Sequence, residues 1–195
     1  MSQDKLKQIR EHIKILTMIK YYNTEVVFEE IPDEITLAVN ITNCQHNCPG
    51  CHSSYLRSDI GHELNSEAID ELIAKNGGIT CFCFMGEGND PKALKNAVYY
   101  LWNKYPELKI GLYSGGERVD GEFVQFLTYL KVGPYIEELG PLNKETTNQR
   151  LYKYDSDYVI EIMKSGKLPS DFDFPPFGFK DITSRFWSKD VRKRD

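Results

Sequence analysis

The chain reads as an α/β protein built on a parallel sheet. Two observations predict this. Short apolar runs alternate with longer stretches of helical periodicity in the order β-loop-α, three times over, which argues for right-handed crossovers between parallel strands. The turns after the first three runs carry cysteines, glycines or serine, and in such sheets the ligand site lies beyond the C-terminal ends of the strands.

The elements follow in order. Leu6, Ile9, Ile13 and Leu16 recur at helical spacing, so residues 4–20 are expected to form an amphipathic helix outside the main sheet. Residues 35–41 form a short apolar run, read as a buried strand that feeds directly into the cysteines. A helix is expected over 66–75, with Asn65 as its cap, Glu67, Asp70 and Glu71 at its positive end and Gly77 beyond its last turn. The next strand is 79–84, followed by a glycine-containing turn over 85–90. Asp90-Pro91 then reads as an N-cap with proline at the first helical position, opening a helix to about residue 104 that buries Leu94, Ala97, Val98 and Leu101. Residues 109–113 are a third strand, and Ser114-Gly115-Gly116 a turn. Asp120 is expected to cap a helix with the apolar face Phe123, Phe126, Leu127 and Leu130. Residues 132–136 and 150–154 are weaker strand candidates. Pro169, Pro175 and Pro176 among aromatics suggest an irregular tail over 166–195. The expected organisation is an N-terminal helical extension (1–30), a core (31–160) and a C-terminal tail packed on it (161–195).

With 195 residues the chain suits about one domain. Its 24 Lys and Arg against 29 Asp and Glu give a net charge of −5, which argues against a broad nucleic-acid footprint. No apolar run approaches the ~20 residues needed to cross a bilayer. The N-terminus lacks a signal-peptide core, and a cytoplasmic location is expected. Five cysteines in such a setting point to metal or redox chemistry and not to a disulfide scaffold.

Three of the cysteines form a compact C-x3-C-x2-C run: Cys44, Cys48 and Cys51. Three thiolates can hold three corners of a 4Fe–4S cluster, whereas full ligation normally takes four cysteines. One iron would stay open to a substrate. Pro49-Gly50 breaks any helix there and lets the backbone fold tightly. The competing reading is a structural zinc site with His46 or His52 as fourth ligand. Cys81 and Cys83 lie two apart on one strand, hence on one face, and read as core residues.

The run Asn43-Cys44 to Cys48-Pro49-Gly50-Cys51-His52 following a first strand resembles the radical S-adenosylmethionine superfamily, and within it the activating proteins of anaerobic (class III) ribonucleoside-triphosphate reductases. The run Thr147-Asn148-Gln149-Arg150-Leu151-Tyr152 is similar to that family as well, and the resemblance spans about residues 25–155. It implies a partial (β/α) barrel, open on one side. It further implies a [4Fe-4S] cluster on Cys44, Cys48 and Cys51, and reductive cleavage of S-adenosyl-L-methionine to a 5′-deoxyadenosyl radical. That radical would install a glycyl radical on the partner reductase, with electrons from a low-potential donor such as flavodoxin. By the same resemblance, Gly86, Glu87 and Gly88 would lie along the cofactor, with either Glu87 or Asp90 opposite its ammonium. Met85 departs from the Gly-Gly-Glu usual at this place. Ser114 would reach the carboxylate or ribose, and Gly50 and His52 would sit near the adenine. For Asp90 the alternative is a plain helix cap, and for Ser114 a turn serine. Rival functions are activation of another glycyl-radical enzyme, a zinc-stabilised interaction module and an iron–sulfur electron carrier.

Overall fold

The computed structural model describes residues 18–119, 121–166 and 174–187. They form a mixed α/β fold around one open, eight-stranded sheet. The strands are β1 (Lys20–Val27), β2 (Thr36–Ile41), β3 (His62–Glu63), β4 (Cys81–Met85), β5 (Lys109–Tyr113), β6 (Tyr129–Val132), β7 (Arg150–Tyr154) and β8 (Phe179–Asp181), in the spatial order β3-β1-β2-β4-β5-β6-β7-β8. The central four, β2, β4, β5 and β6, run parallel, and antiparallel strands flank them on both sides. The helices are α1 (Ser66–Lys75), α2 (Pro91–Lys104) and α3 (Ser156–Ser165).

Strand pleating divides the side chains between two faces. Leu37, Val39, Phe82, Phe84, Ile110, Leu112 and Leu130 belong to the main core, together with Ile69 and Leu72 of α1 and Leu94, Val98 and Leu101 of α2. Full burial of a side chain such as Phe82 or Phe84 is worth roughly 1.5–3 kcal/mol. The opposite face carries Cys81, Cys83, Tyr129 and Leu151, over which Ile31 from the β1–β2 loop packs. Both cysteines are core residues, and burial pushes their thiols up in pKa. The parallel register aligns Asn40, Met85, Tyr113 and Lys131 in one row near the C-terminal edge of the parallel strands.

The helix caps follow the sequence. Asn65 Oδ1 accepts from the Ala68 N–H at 2.8 Å, and Asp90 Oδ1 accepts from the N–H groups of Lys92 and Ala93, both at 3.0 Å. Asp90 is therefore a helix cap.

Four expectations need correction. Residues 18–20 are not helical, and the remainder of the helix expected over 4–20 lies outside the described residues. Lys20–Val27 is instead a strand, with Tyr22 and Asn23 exposed and so no continuous apolar pattern to announce it. The helix expected after Asp120 (itself outside the described residues) is a 3₁₀ turn, Glu122–Phe126, running into β6. The Thr128 N–H donates to the Ile110 carbonyl at 2.8 Å, which draws the chain onto β5. That strand ends at Val132, earlier than the expected 132–136. Finally, the stretch expected to be irregular contains β8 and a 3₁₀ turn, Thr183–Phe186. Among the described residues no helix is long and apolar enough to cross a membrane.

Candidate thiol site at the C-terminal edge of the sheet

The loop after β2 carries Cys44, Cys48 and Cys51, all half-buried free thiols. Its path is held by backbone and side-chain bonds. The Cys44 N–H donates to the Leu56 carbonyl at 3.0 Å, and Arg57 Nη2 donates to the Cys48 carbonyl at 2.8 Å. The Cys51 N–H returns to the Cys48 carbonyl at 3.4 Å, closing a turn over Pro49 and Gly50. Gly50 has φ +68°, a conformation that glycine takes without steric cost, and a Cβ there would stand 3.0 Å from Glu137 Oε2.

Two further loops meet this one. Nε2 of His46 lies 3.3 Å from Oε2 of Glu87, in the loop after β4. From the loop after β5, Gly115 approaches so closely that a Cβ on it would stand 2.7 Å from His46 Cδ2. The convergence expected from the topology is thus present, and His46 is its hub. Gly86 and Gly88 flank Glu87 with positive φ. Ser114 is buried, and its Oγ accepts from the Gly116 N–H at 2.9 Å, so it shapes its own turn. The His52 ring meets Tyr135 edge-on at 5.5 Å. Asp90 is committed to capping α2, so of these two acids it is Glu87 that touches the cysteine loop.

The cluster expectation is overturned. Among the described residues no group of three or more His, Cys, Asp and Glu side chains is placed to hold a metal ion. The local bonds account for this. The Cys44 thiol turns toward the His46 carbonyl at 3.8 Å, while Cys48 and Cys51 lie on their own turn. His46 is engaged by Glu87 and His52 by Tyr135, so neither completes a zinc set. With the cluster go the readings built on it: the [4Fe-4S] and S-adenosyl-L-methionine cofactors, the radical S-adenosylmethionine oxidoreductase activity, membership of the activase family, and the zinc-stabilised module.

Sequence reasoning missed several residues of the site. Lys131 is 8% exposed, and its Nζ donates to the carbonyls of Gly133 at 2.9 Å and Ser114 at 3.4 Å. Burial lowers its ammonium to about 8, opposed by Cys48, Glu30 and Cys51 in that order. Glu30 comes from the β1–β2 loop, where its carbonyl accepts the Tyr113 hydroxyl. Burial raises the Glu30 carboxyl, Glu29 adds to that, and Lys131 opposes it. A lysine inside the short apolar run of β6 was the one local signal available. Arg57, Glu137 and Glu30 left none.

The Asn148-Gln149-Arg150 run brackets the end of β6. Asn148 Nδ2 donates to the Pro134 carbonyl at 2.9 Å, and Gln149 Nε2 to that of Gly133 at 3.3 Å. Arg150 turns back on its own strand, donating to the carbonyls of Thr147 and Gln149, each at 2.8 Å. No protein-family model, curated protein or solved structure matches the chain.

Proposed function

We propose that the protein carries out thiol–disulfide exchange through Cys48 and Cys51. The observation that carries this reading is the Cys48-Pro49-Gly50-Cys51 turn, closed by its own backbone bond, with both thiols free and half-buried. The ends of such a turn lie within ~7 Å, Cα to Cα, which is the span a disulfide bridges. The C-x2-C spacing is that of dithiol exchange centres. Cys81 and Cys83 are sealed in the core and take no part.

The exchange runs in two displacements. One thiolate attacks a substrate disulfide, forms a mixed disulfide and releases the first substrate thiol. The second cysteine then displaces the second substrate thiol and closes the Cys48–Cys51 bond. Two electrons and two protons pass to the substrate, and a low-molecular-weight thiol restores the dithiol. On this reading the sheet curves as a partial (β/α) barrel, with the turn at its open rim. Cys44 is a third thiol beside the pair. Glu87 orients His46 against the loop, and His52 and Gly50 pack it toward Tyr135 and Glu137. Gly86, Gly88 and Ser114 shape the neighbouring loops.

The test is equilibration in glutathione buffers of graded potential, followed by acid quench, alkylation and peptide mass spectrometry. The reading expects one reversible transition that links Cys48 to Cys51 and is lost in Cys51→Ser. Persistence of both free thiols at the most oxidising potential would refute it.

A further inference from the structure

We infer that Asn76 is a site of spontaneous deamidation: the Gly77 nitrogen displaces the side-chain amide as ammonia and leaves aspartate and isoaspartate at the C-terminal end of α1. The site lies where α1 turns into β4, at the opposite edge of the parallel strands from the thiols, and is independent of their chemistry.

Three observations carry the assignment. Asn76-Gly77 is the one asparagine–glycine pair in the sequence, and every other asparagine precedes a residue with a side chain. Glycine puts no Cβ in the way of a nitrogen that must close on the side chain before it. Second, Gly77 and Gly78 are exposed, and a Cβ on either would meet nothing within 4 Å. Among the described residues the Gly77 N–H makes no hydrogen bond, so the nucleophile is uncommitted. Third, Asn76 is held by end-of-helix bonds alone. Its N–H donates to the Ile73 carbonyl at 3.2 Å, and its Nδ2 to the Leu72 carbonyl at 2.8 Å. The last turn of a helix is where it opens most readily.

Those two bonds set the pace. Asn76 has φ −115° and ψ 59°, which turns the Gly77 nitrogen away from the Asn76 side chain. Attack waits for rotation about ψ and release of Nδ2 from Leu72. Opening of one turn gates the reaction, and global unfolding is not required.

The step balances as follows. The Gly77 nitrogen bonds to Asn76 Cγ, its proton passes through water to Nδ2, and the Cγ–Nδ2 bond breaks with loss of ammonia. A cyclic imide remains. Water opening it at Cγ gives aspartate, and water opening it at the main-chain carbonyl gives isoaspartate. In sum, amide and water become carboxylate and ammonium, with no change of oxidation state. Either product lacks the donor to Leu72 and puts negative charge at the helix end that already carries it. Leu72 belongs to the main core and Ile73 packs against it, so the loosened turn is one that the core uses.

The test ages the whole chain in buffered H₂¹⁸O at neutral and mildly alkaline pH. Its peptides are then read by mass spectrometry, with aspartate and isoaspartate forms separated. Residue 76 should convert ahead of every other asparagine, faster at the higher pH, and give both products with ¹⁸O in each. Gly77 lies outside the left-handed region and has open space around it, so Gly77→Ala should keep the fold and slow conversion by about 10-fold or more. Another asparagine converting first, aspartate alone at residue 76, or an unchanged rate in Gly77→Ala would overturn the inference. Asn76→Asp, which fixes the product charge, should lower Tm by about 2–4 °C. An unchanged Tm would overturn the loosening of α1.

Discussion

Glu34 sits beneath the parallel strands, at the end away from the thiols, and its removal should be among the most damaging single changes. Its side chain is 1% exposed and accepts three bonds: from Lys109 Nζ at 2.5 Å, Tyr129 Oη at 2.6 Å and Thr80 Oγ1 at 2.6 Å. These partners belong to or border β4, β5 and β6, so one carboxylate ties together the strands that aim the three loops. Burial works to raise its pKa, but the bonds from Lys109, Thr80 and Tyr129 outweigh burial and hold it below the ordinary value of 4.5. In Glu34→Ala the Tyr129 hydroxyl, fully buried, loses its acceptor, at a cost of about 1–3 kcal/mol. Thr80 loses a further bond worth about 1 kcal/mol. Lys109 is 43% exposed and recovers water, so its charge adds little. The expected total is about 3 kcal/mol, read as a shift in urea midpoint at unchanged slope. Tyr129→Phe in the Glu34→Ala background removes the orphaned hydroxyl and should cost less than it does alone, with a coupling of about 1 kcal/mol. A loss below about 1 kcal/mol for Glu34→Ala, or strict additivity, would refute the argument. The sign of the pH dependence follows from the lowered folded pKa. The contribution is present above 4.5 and is lost as pH falls through the lower folded value.

Three other outcomes are expected. Gly111→Ala places a Cβ 2.9 Å from Cys83 Sγ and 3.0 Å from Ile31 Cδ1; overpacking at this cost, about 1–3 kcal/mol, should lower Tm, and an unchanged Tm would contradict the packing. Asp70 accepts from Lys104, Tyr105 and Tyr100, which hold its carboxyl at about 2, so its stabilising share should persist above pH 3.8 and fade only toward pH 2; side-chain carboxyl NMR should give that midpoint, and one near 3.8 would remove the bonds from consideration. Brief iodoacetamide treatment of the native protein should modify Cys44, Cys48 and Cys51 and spare Cys81 and Cys83, which should react only after unfolding; equal labelling of all five would contradict the burial.

Much of the architecture was legible because it is encoded locally. The apolar run of β2, the Asn65 and Asp90 caps and the alternation of β4, α2 and β5 depend on neighbours within a few residues, and each stands where the sequence placed it. Burial of Cys81 and Cys83 followed from spacing on one strand. What local pattern did not carry was the fate of groups whose partners are distant in the chain. β1 and β8 are strands through pairing with β2 and β7, not through their own composition. The 122–132 segment left its helical spacing because β5 offered backbone partners.

The cysteine spacing by itself determined that three thiols share one loop at the C-terminal edge of the sheet. How those thiols are disposed was decided by tertiary bonds: Arg57 on the Cys48 carbonyl, Glu87 on His46 and Tyr135 against His52. The same holds for Lys131. Its row in β6 and the carbonyls it bonds arise from strand register, from the loop that follows β5 and from the chain just beyond β6. Spacing sets which residues travel together along the chain. Burial and long-range hydrogen bonds set which way their side chains turn, and the chemistry of the site depends on that.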